Sequence, residues 1–113
     1  MINLRDVLVA KSRNKSPRKA IKREGRFFVY IVQCRDGTYY TGYTNDLKSR
    51  IALHNGGNGA KYLRGRLPVK LVYAKEYHYY KNALRGERNI KKLTREQKER
   101  LIRIYEESNR DNF

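Results

Sequence analysis

Five side chains in this chain are of types that could act together on a phosphate: Tyr30, Tyr40, Arg50, His54 and Glu87. The guanidinium of Arg50 is a permanent planar cation whose donors match phosphate oxygens. A tyrosine adds a ring with a polar tip that can sit beside phosphates or bases. Arg50 and His54 are four residues apart on a helical stretch and so are neighbours. Both also have plainer roles, an Arg on a basic surface and a His as a structural hydrogen-bonder. Glu87 is more informative. Ala83, Leu84, Glu87, Ile90 and Lys91 share one helical face, so the carboxylate sits in the stripe that should meet the sheet. An unpaired carboxylate there is unfavourable and needs a cation, either a metal or an Arg such as Arg50. The alternative is a rotated helix, with Glu87 solvated and paired to Lys91 at i+4.

The stretch from Phe27 to Gly57 must position most of these groups. FFVYIVQC is β-branched and aromatic, Asp36-Gly37 signals a hairpin turn, and YYTGYT returns. Asn45 offers an N-cap, Asp46 suits the positive end of a helix dipole, and Gly56-Gly57 closes the helix. Two hairpin registers are open. A two-residue turn pairs Cys34 with Tyr39 and puts Tyr30 and Tyr40 on opposite faces of the sheet. A three-residue loop with Gly37 left-handed in a bulge pairs Cys34 with Thr38 and Val32 with Tyr40, so the two tyrosines share a face.

Composition narrows the class. With 113 residues the chain is one domain with a modest core. Its 27 Lys and Arg against 11 acidic residues give a net charge of +16, which points to a polyanion, nucleic acid before an acidic membrane. A single cysteine, Cys34, excludes an internal disulfide or a cysteine-based zinc finger and fits a reducing compartment. No apolar run approaches a membrane span and the N-terminus lacks a secretory h-region. The expected location is therefore the cytoplasm or nucleoid, or the nucleus in a eukaryotic or viral setting, and not the exterior.

Residues 1–25 form a basic arm broken by Pro17, expected to be mobile and either a phosphate-binding tail or a passive leader. Residues 26–108 form the domain, and 109–113 a frayed tail. The loop NGGNGAKYLRGRLP sets glycines beside Lys61, Arg64 and Arg66, which with Lys48 are the candidate nucleic-acid contacts. Val69–Tyr77 alternates as a third strand, Tyr79–Leu93 reads as a helix despite Gly86, and Thr94 to Gln97 is a capping box for a last helix. The order β-β-α-β-α-α predicts an α/β domain with a small, mostly antiparallel three-stranded sheet flanked by helices.

Tyr30 in FVY, ten residues before Tyr40-Thr41-Gly42, followed by Arg50, His54 and a helix bearing Glu87, resembles the GIY-YIG nuclease family. The segments TGYTNDLKSRIALHNGGNGAKY and ALRGERNIKK resemble its small stand-alone members most closely. The first triplet departs at Phe28 and Val29 and the second at Thr41, while both tyrosines and Gly42 remain. Many members place an Asn after the glutamate, a role that neither Asn82 nor Asn89 fills convincingly. The resemblance implies a metal-dependent DNA endonuclease acting in repair or recombination. Glu87 would hold one divalent cation, Mg2+ or Mn2+, Arg50 would neutralise the phosphate in the transition state, and Tyr30 would be the general base. Tyr40 would hydrogen-bond Tyr30 from the same sheet face, which the resemblance thus makes a reason to expect the three-residue bulged loop, and His54 would orient a tyrosine or shuttle a proton. Targeting would come from a protein partner or from the basic arm and loop. The rival expectation is a non-catalytic nucleic-acid-binding module on the same tyrosine-rich surface.

Overall fold

The first strand is the central one. In a computed structural model describing residues 24–110, β1 (Glu24–Gln33) pairs antiparallel with β2 (Tyr39–Thr44) on one side and β3 (Lys70–Tyr79) on the other. Among the described residues three α-helices, α1 (Leu47–Asn55), α2 (Tyr80–Lys91) and α3 (Arg95–Arg110), and a short 3-10 turn (Lys61–Leu63) accompany the sheet. The order is the expected β-β-α-β-α-α, and both strand pairs are antiparallel.

Strand alternation divides β1 between two cores. Val29 and Ile31 face Ala83 and Ile90 of α2 and Ile102 of α3. Tyr30 and Val32 face the other way, against Leu63, Val69 and the half-buried Leu47 and Ile51 of α1. The sheet is thus a middle layer, with α2 and α3 on one side and α1 with its following loop on the other.

The hairpin takes the three-residue loop. Val32 is opposite Tyr40 and Tyr30 opposite Gly42. Cys34 N–H donates to Thr38 O at 2.8 Å, Gly37 N–H donates to Cys34 O at 2.9 Å, and Gly37 is left-handed at φ 88°. The Asp36 carboxylate accepts from the Thr38 N–H at 3.1 Å and from its hydroxyl at 2.7 Å, which ties the returning strand to the turn. Because side chains alternate with period two, this register sets Tyr30 and Tyr40 on one face.

Several boundaries differ from expectation for local reasons. The N-cap of α1 is Asp46 rather than Asn45, since the Asp46 carboxylate accepts the Ser49 N–H at 3.2 Å. Strand β3 runs on to Tyr79, two residues beyond the expected end, because Glu24 and Phe27 continue the ladder opposite Tyr79 and Tyr77. Glu24 and Gly25, expected in the arm, therefore belong to β1. Helix α3 continues through Asn109 to Arg110, past the expected fraying point. The capping box forms as read: Thr94 N–H donates to Gln97 Oε1 at 2.9 Å, and Gln97 N–H donates to Thr94 Oγ1 at 3.2 Å. Gly86 is explained by packing, because the Tyr77 hydroxyl occupies the space a β-carbon there would need. The rest of the arm, residues 1–23, and the end of the tail, 111–113, lie outside the described residues. Among the described residues no helix is long and apolar enough to cross a membrane.

Candidate active site

Tyr30 projects from the central strand toward α1 and is 1 % exposed. Its ring lies across Gly42 of the edge strand β2: a β-carbon on Gly42 would stand 2.6 Å from the phenolic oxygen. The absence of a side chain at 42 thus lets the Tyr30 hydroxyl end over the sheet edge. The hydroxyl meets His54 Nε2 at 2.8 Å, rather than the Tyr40 hydroxyl expected from the resemblance. Tyr40 does share the face, and its ring packs edge-on against His54 with centroids 5.8 Å apart.

His54 is the buried residue of α1, at 2 % exposure. Its second ring nitrogen, Nδ1, accepts the Ala60 N–H at 3.3 Å. A nitrogen that accepts a backbone N–H carries no proton, so in the neutral imidazole the proton is on Nε2 and is donated to Tyr30. Burial, and after it the positive charge of Arg50, lowers the His54 pKa below the usual 6.5, so this neutral tautomer prevails at pH 7. Gly59 makes the arrangement possible, since a β-carbon there would collide with Nδ1 of the imidazole.

The charges of Arg50 and Glu87 both act on Tyr30. Burial foremost, and then the neighbouring Tyr40, push the Tyr30 pKa up to about 12; Arg50 pulls it down and Glu87 pushes it up. The same Arg50 and Glu87 act in opposite senses on Tyr43, after its burial and its neighbour Tyr80. Arg50 is exposed and forms no ion pair among the described residues. Glu87 combines the two alternatives open in the sequence. It pairs with Lys91 at 3.2 Å, yet its side chain is only 18 % exposed, and from the α2 side of the sheet its charge still acts on Tyr30 and Tyr43. Tyr30, Tyr40 and His54 are thus in contact with one another, and the charges of Arg50 and Glu87 act on Tyr30 from nearby.

No group of three metal-ligating side chains exists among the described residues. The largely shielded carboxylate of Glu87 is chemically suited only to a hexacoordinate cation that would keep several waters and take further oxygens from a phosphate. Glu87 is the residue that would hold it, in competition with Lys91.

The candidate contact residues divide. Lys48, Lys61 and Arg64 are exposed. Arg66 is engaged within the fold: its guanidinium lies 4.1 Å from the Tyr62 ring centroid, 3.2 Å from Asp36 and 3.0 Å from the Tyr62 carbonyl. Tyr62 stacks in turn on Tyr40 with centroids 6.0 Å apart. Sequence reasoning missed Asn55, whose side chain accepts the Val69 N–H at 2.8 Å and donates to the Val69 carbonyl at 3.1 Å, closing the basic loop at its base. It also missed the positioning parts played by Gly59 and Ala60. The cluster of glycines was the available signal, read as room for a phosphate rather than for an imidazole.

Comparison with known proteins accords with this geometry. A model of the GIY-YIG catalytic domain matches residues 26–100. A UPF0213 protein of Halobacterium salinarum is 53 % identical over 74 residues, covering 66 % of this chain and 96 % of the relative. A UPF0213 protein of Clostridium perfringens is 55 % identical over 75 residues, 66 % of this chain and 81 % of that one. A protein from E. faecalis, solved by solution NMR, superposes with a TM-score of 0.52 at 33 % identity over 76 % of this chain and 92 % of its own. The matched span begins beside Phe27 and ends within α3, so it contains both tyrosine-bearing strands, α1 and the Glu87 helix, and the chain belongs to the GIY-YIG catalytic-domain family.

Proposed function

We propose that this chain is a divalent-metal-dependent DNA endonuclease that hydrolyses phosphodiester bonds in repair or recombination, brought to its substrate by its own basic surface or by a protein partner. The observation that carries the proposal is the Tyr30 hydroxyl, held by His54 at 2.8 Å and acted on by both Arg50 and Glu87. Tyr30 first loses its own proton to solvent; the phenolate then takes the proton of the water that attacks phosphorus, and the bond to the 3′ oxygen breaks, that oxygen taking a proton from solvent. The Nε2–H of His54 stabilises the phenolate that Tyr30 must become, and Arg50 neutralises charge on the phosphoryl oxygens. Glu87 would hold a divalent cation, which would supply Lewis-acid chemistry at the phosphate.

The demand on Tyr30 is substantial. With a pKa about 12 in the free protein, only roughly one phenol in 10⁵ is ionised at pH 7. Arg50, the His54 donor and a bound cation all act to lower that pKa. The buried, protonated Tyr30 is also the observation that favours the second reading, a nucleic-acid-binding module without chemistry.

The test is to incubate supercoiled, linear and branched DNA with Mg2+ or Mn2+ and the wild-type or Glu87→Ala protein. Cutting by the wild type alone, with binding retained in the variant, supports the proposal. Equal cutting by both proteins would point to contamination, and no cutting by either would leave the binding module.

A further inference from the structure

Helix α2 carries a second feature besides Glu87. Lys81, Arg85, Arg88 and Lys92 are all exposed and follow one another at intervals of four, three and four residues, which is one face of a helix. That face is turned away from the core residues Ala83 and Ile90. Glu87 lies on the flank between the two. Among the described residues none of the four basic groups pairs with a carboxylate, while Arg26, Arg66, Lys91 and Arg95 each do.

The arrangement is internally repulsive. Every neighbouring pair along the stripe is like-charged at i,i+3 or i,i+4, which destabilises a helix. Lys81 stands in a first turn with no acidic residue, against the positive end of the dipole. Helix α3, equally solvated on its outer side, is built oppositely: Glu96 precedes Arg100, Glu99 precedes Arg103, and Glu106 precedes Arg110, each by four residues. A solvated face needs only the pattern of α3. The helix dipole favours Arg88 and Lys92 at its C-terminal end, but the remaining excess of positive charge on this face would be relieved by an external anion.

We propose that Lys81, Arg85, Arg88 and Lys92 form a phosphate track, along which the nucleic-acid strand passing the Glu87 site continues over the outer face of α2. The stripe is about 16 Å long, a length over which one strand of a duplex presents about five phosphates. The track rests on the nucleic-acid reading above and extends it: the polyanion is held on the α2 side of the site as well as by the loop bearing Lys61 and Arg64.

The test reads binding in the absence of metal ion, so that nothing is cut. The affinity of a short fluorescent DNA duplex is measured against salt for the wild type, for Lys81→Gln/Arg85→Gln/Arg88→Gln/Lys92→Gln, and for the equal-charge control Lys98→Gln/Arg100→Gln/Arg103→Gln/Arg110→Gln. The α2 variant, losing four contacts at roughly 0.9 each, is expected to lower the salt slope by about 3.6 and the α3 control by less than about one. Arg85→Gln alone should lower it by about one. Melting of the α2 variant at low salt should occur no lower than the wild type, since repulsion has been removed. Equal slopes for the two four-site variants, an unchanged slope for the α2 variant, a lower melting point for it, or no duplex binding by the wild type would each overturn the track. A normal slope with no cleavage in the metal-containing assay would instead defeat the nuclease reading and leave the track standing.

Discussion

The Tyr30 hydroxyl and His54 Nε2 lie 2.8 Å apart inside the domain, and the Ala60 N–H on the far ring nitrogen makes the imidazole the donor and the phenol the acceptor. His54 is thereby excluded as the base that deprotonates Tyr30. In the proposed nuclease its part would be to hold the ring and favour the phenolate, while its burial as a neutral imidazole carries a direct pH signature of its own. Because burial and Arg50 lower the His54 pKa in the folded protein below 6.5, the unfolded chain takes up this proton first as the pH falls. The stability linked to neutral His54 is present above pH 6.5 and is lost as the pH falls through that value toward the folded pKa. Thermal melts between pH 7 and pH 5 should show a decline in the wild type that flattens in His54→Asn. Parallel declines in the two proteins would contradict the assignment.

Gly42 and Gly59 are sites where a single methyl group should disturb the tyrosine–histidine pair. An alanine β-carbon at 42 would meet the Tyr30 oxygen at 2.6 Å, and the buried ring cannot retreat without repacking. Gly42→Ala is expected to destabilise the domain by about 1–3 kcal/mol and to lower activity by on the order of 100-fold. Gly59→Ala should act through His54 in the same direction. Gly65→Ala is the control, since nothing lies within 4 Å of its added carbon. Denaturation midpoints and cleavage rates on the three variants check the ranking.

Asn55 holds the basic loop shut by imitating a strand partner for Val69, one bond to its N–H and one to its carbonyl. Asn55→Ala leaves both backbone groups without a protein partner beside a buried side chain. A loss of about 1–3 kcal/mol in urea denaturation is the expected result. A change within a few tenths would mean that water replaces the amide without penalty.

The elements were legible because they depend on periodicity and short-range signals, and the same periodicity placed Arg50 and His54 as neighbours on α1. Glu87 stood out as a carboxylate in an apolar stripe, and the Thr94 capping box could be read directly. The shared face of Tyr30 and Tyr40 could not, since Asp36-Gly37 suits two turn lengths; the added bonds from Asp36 to Thr38 accompany the longer one. Links such as His54 to Ala60 and Asn55 to Val69 join residues that no repeat relates, through a glycine-rich loop whose path only tertiary packing defines. Arg66 illustrates the converse. Its charge alone suggested a phosphate, whereas Tyr62 and Asp36 already occupy its guanidinium.

The phenolic oxygen of Tyr30 is the centre of the account, and its removal is the most direct test. Single-turnover cleavage by Tyr30→Phe and wild type should be compared from pH 7 to pH 9 with saturating Mg2+, alongside DNA affinity measured without metal. Tyr30 as the general base requires unchanged affinity, a rate at least about 100-fold lower in the variant, and a wild-type rate that rises with pH as the phenol ionises. A Tyr30→Phe protein that cuts as fast as the wild type, or a wild-type rate indifferent to pH over that range, would contradict it.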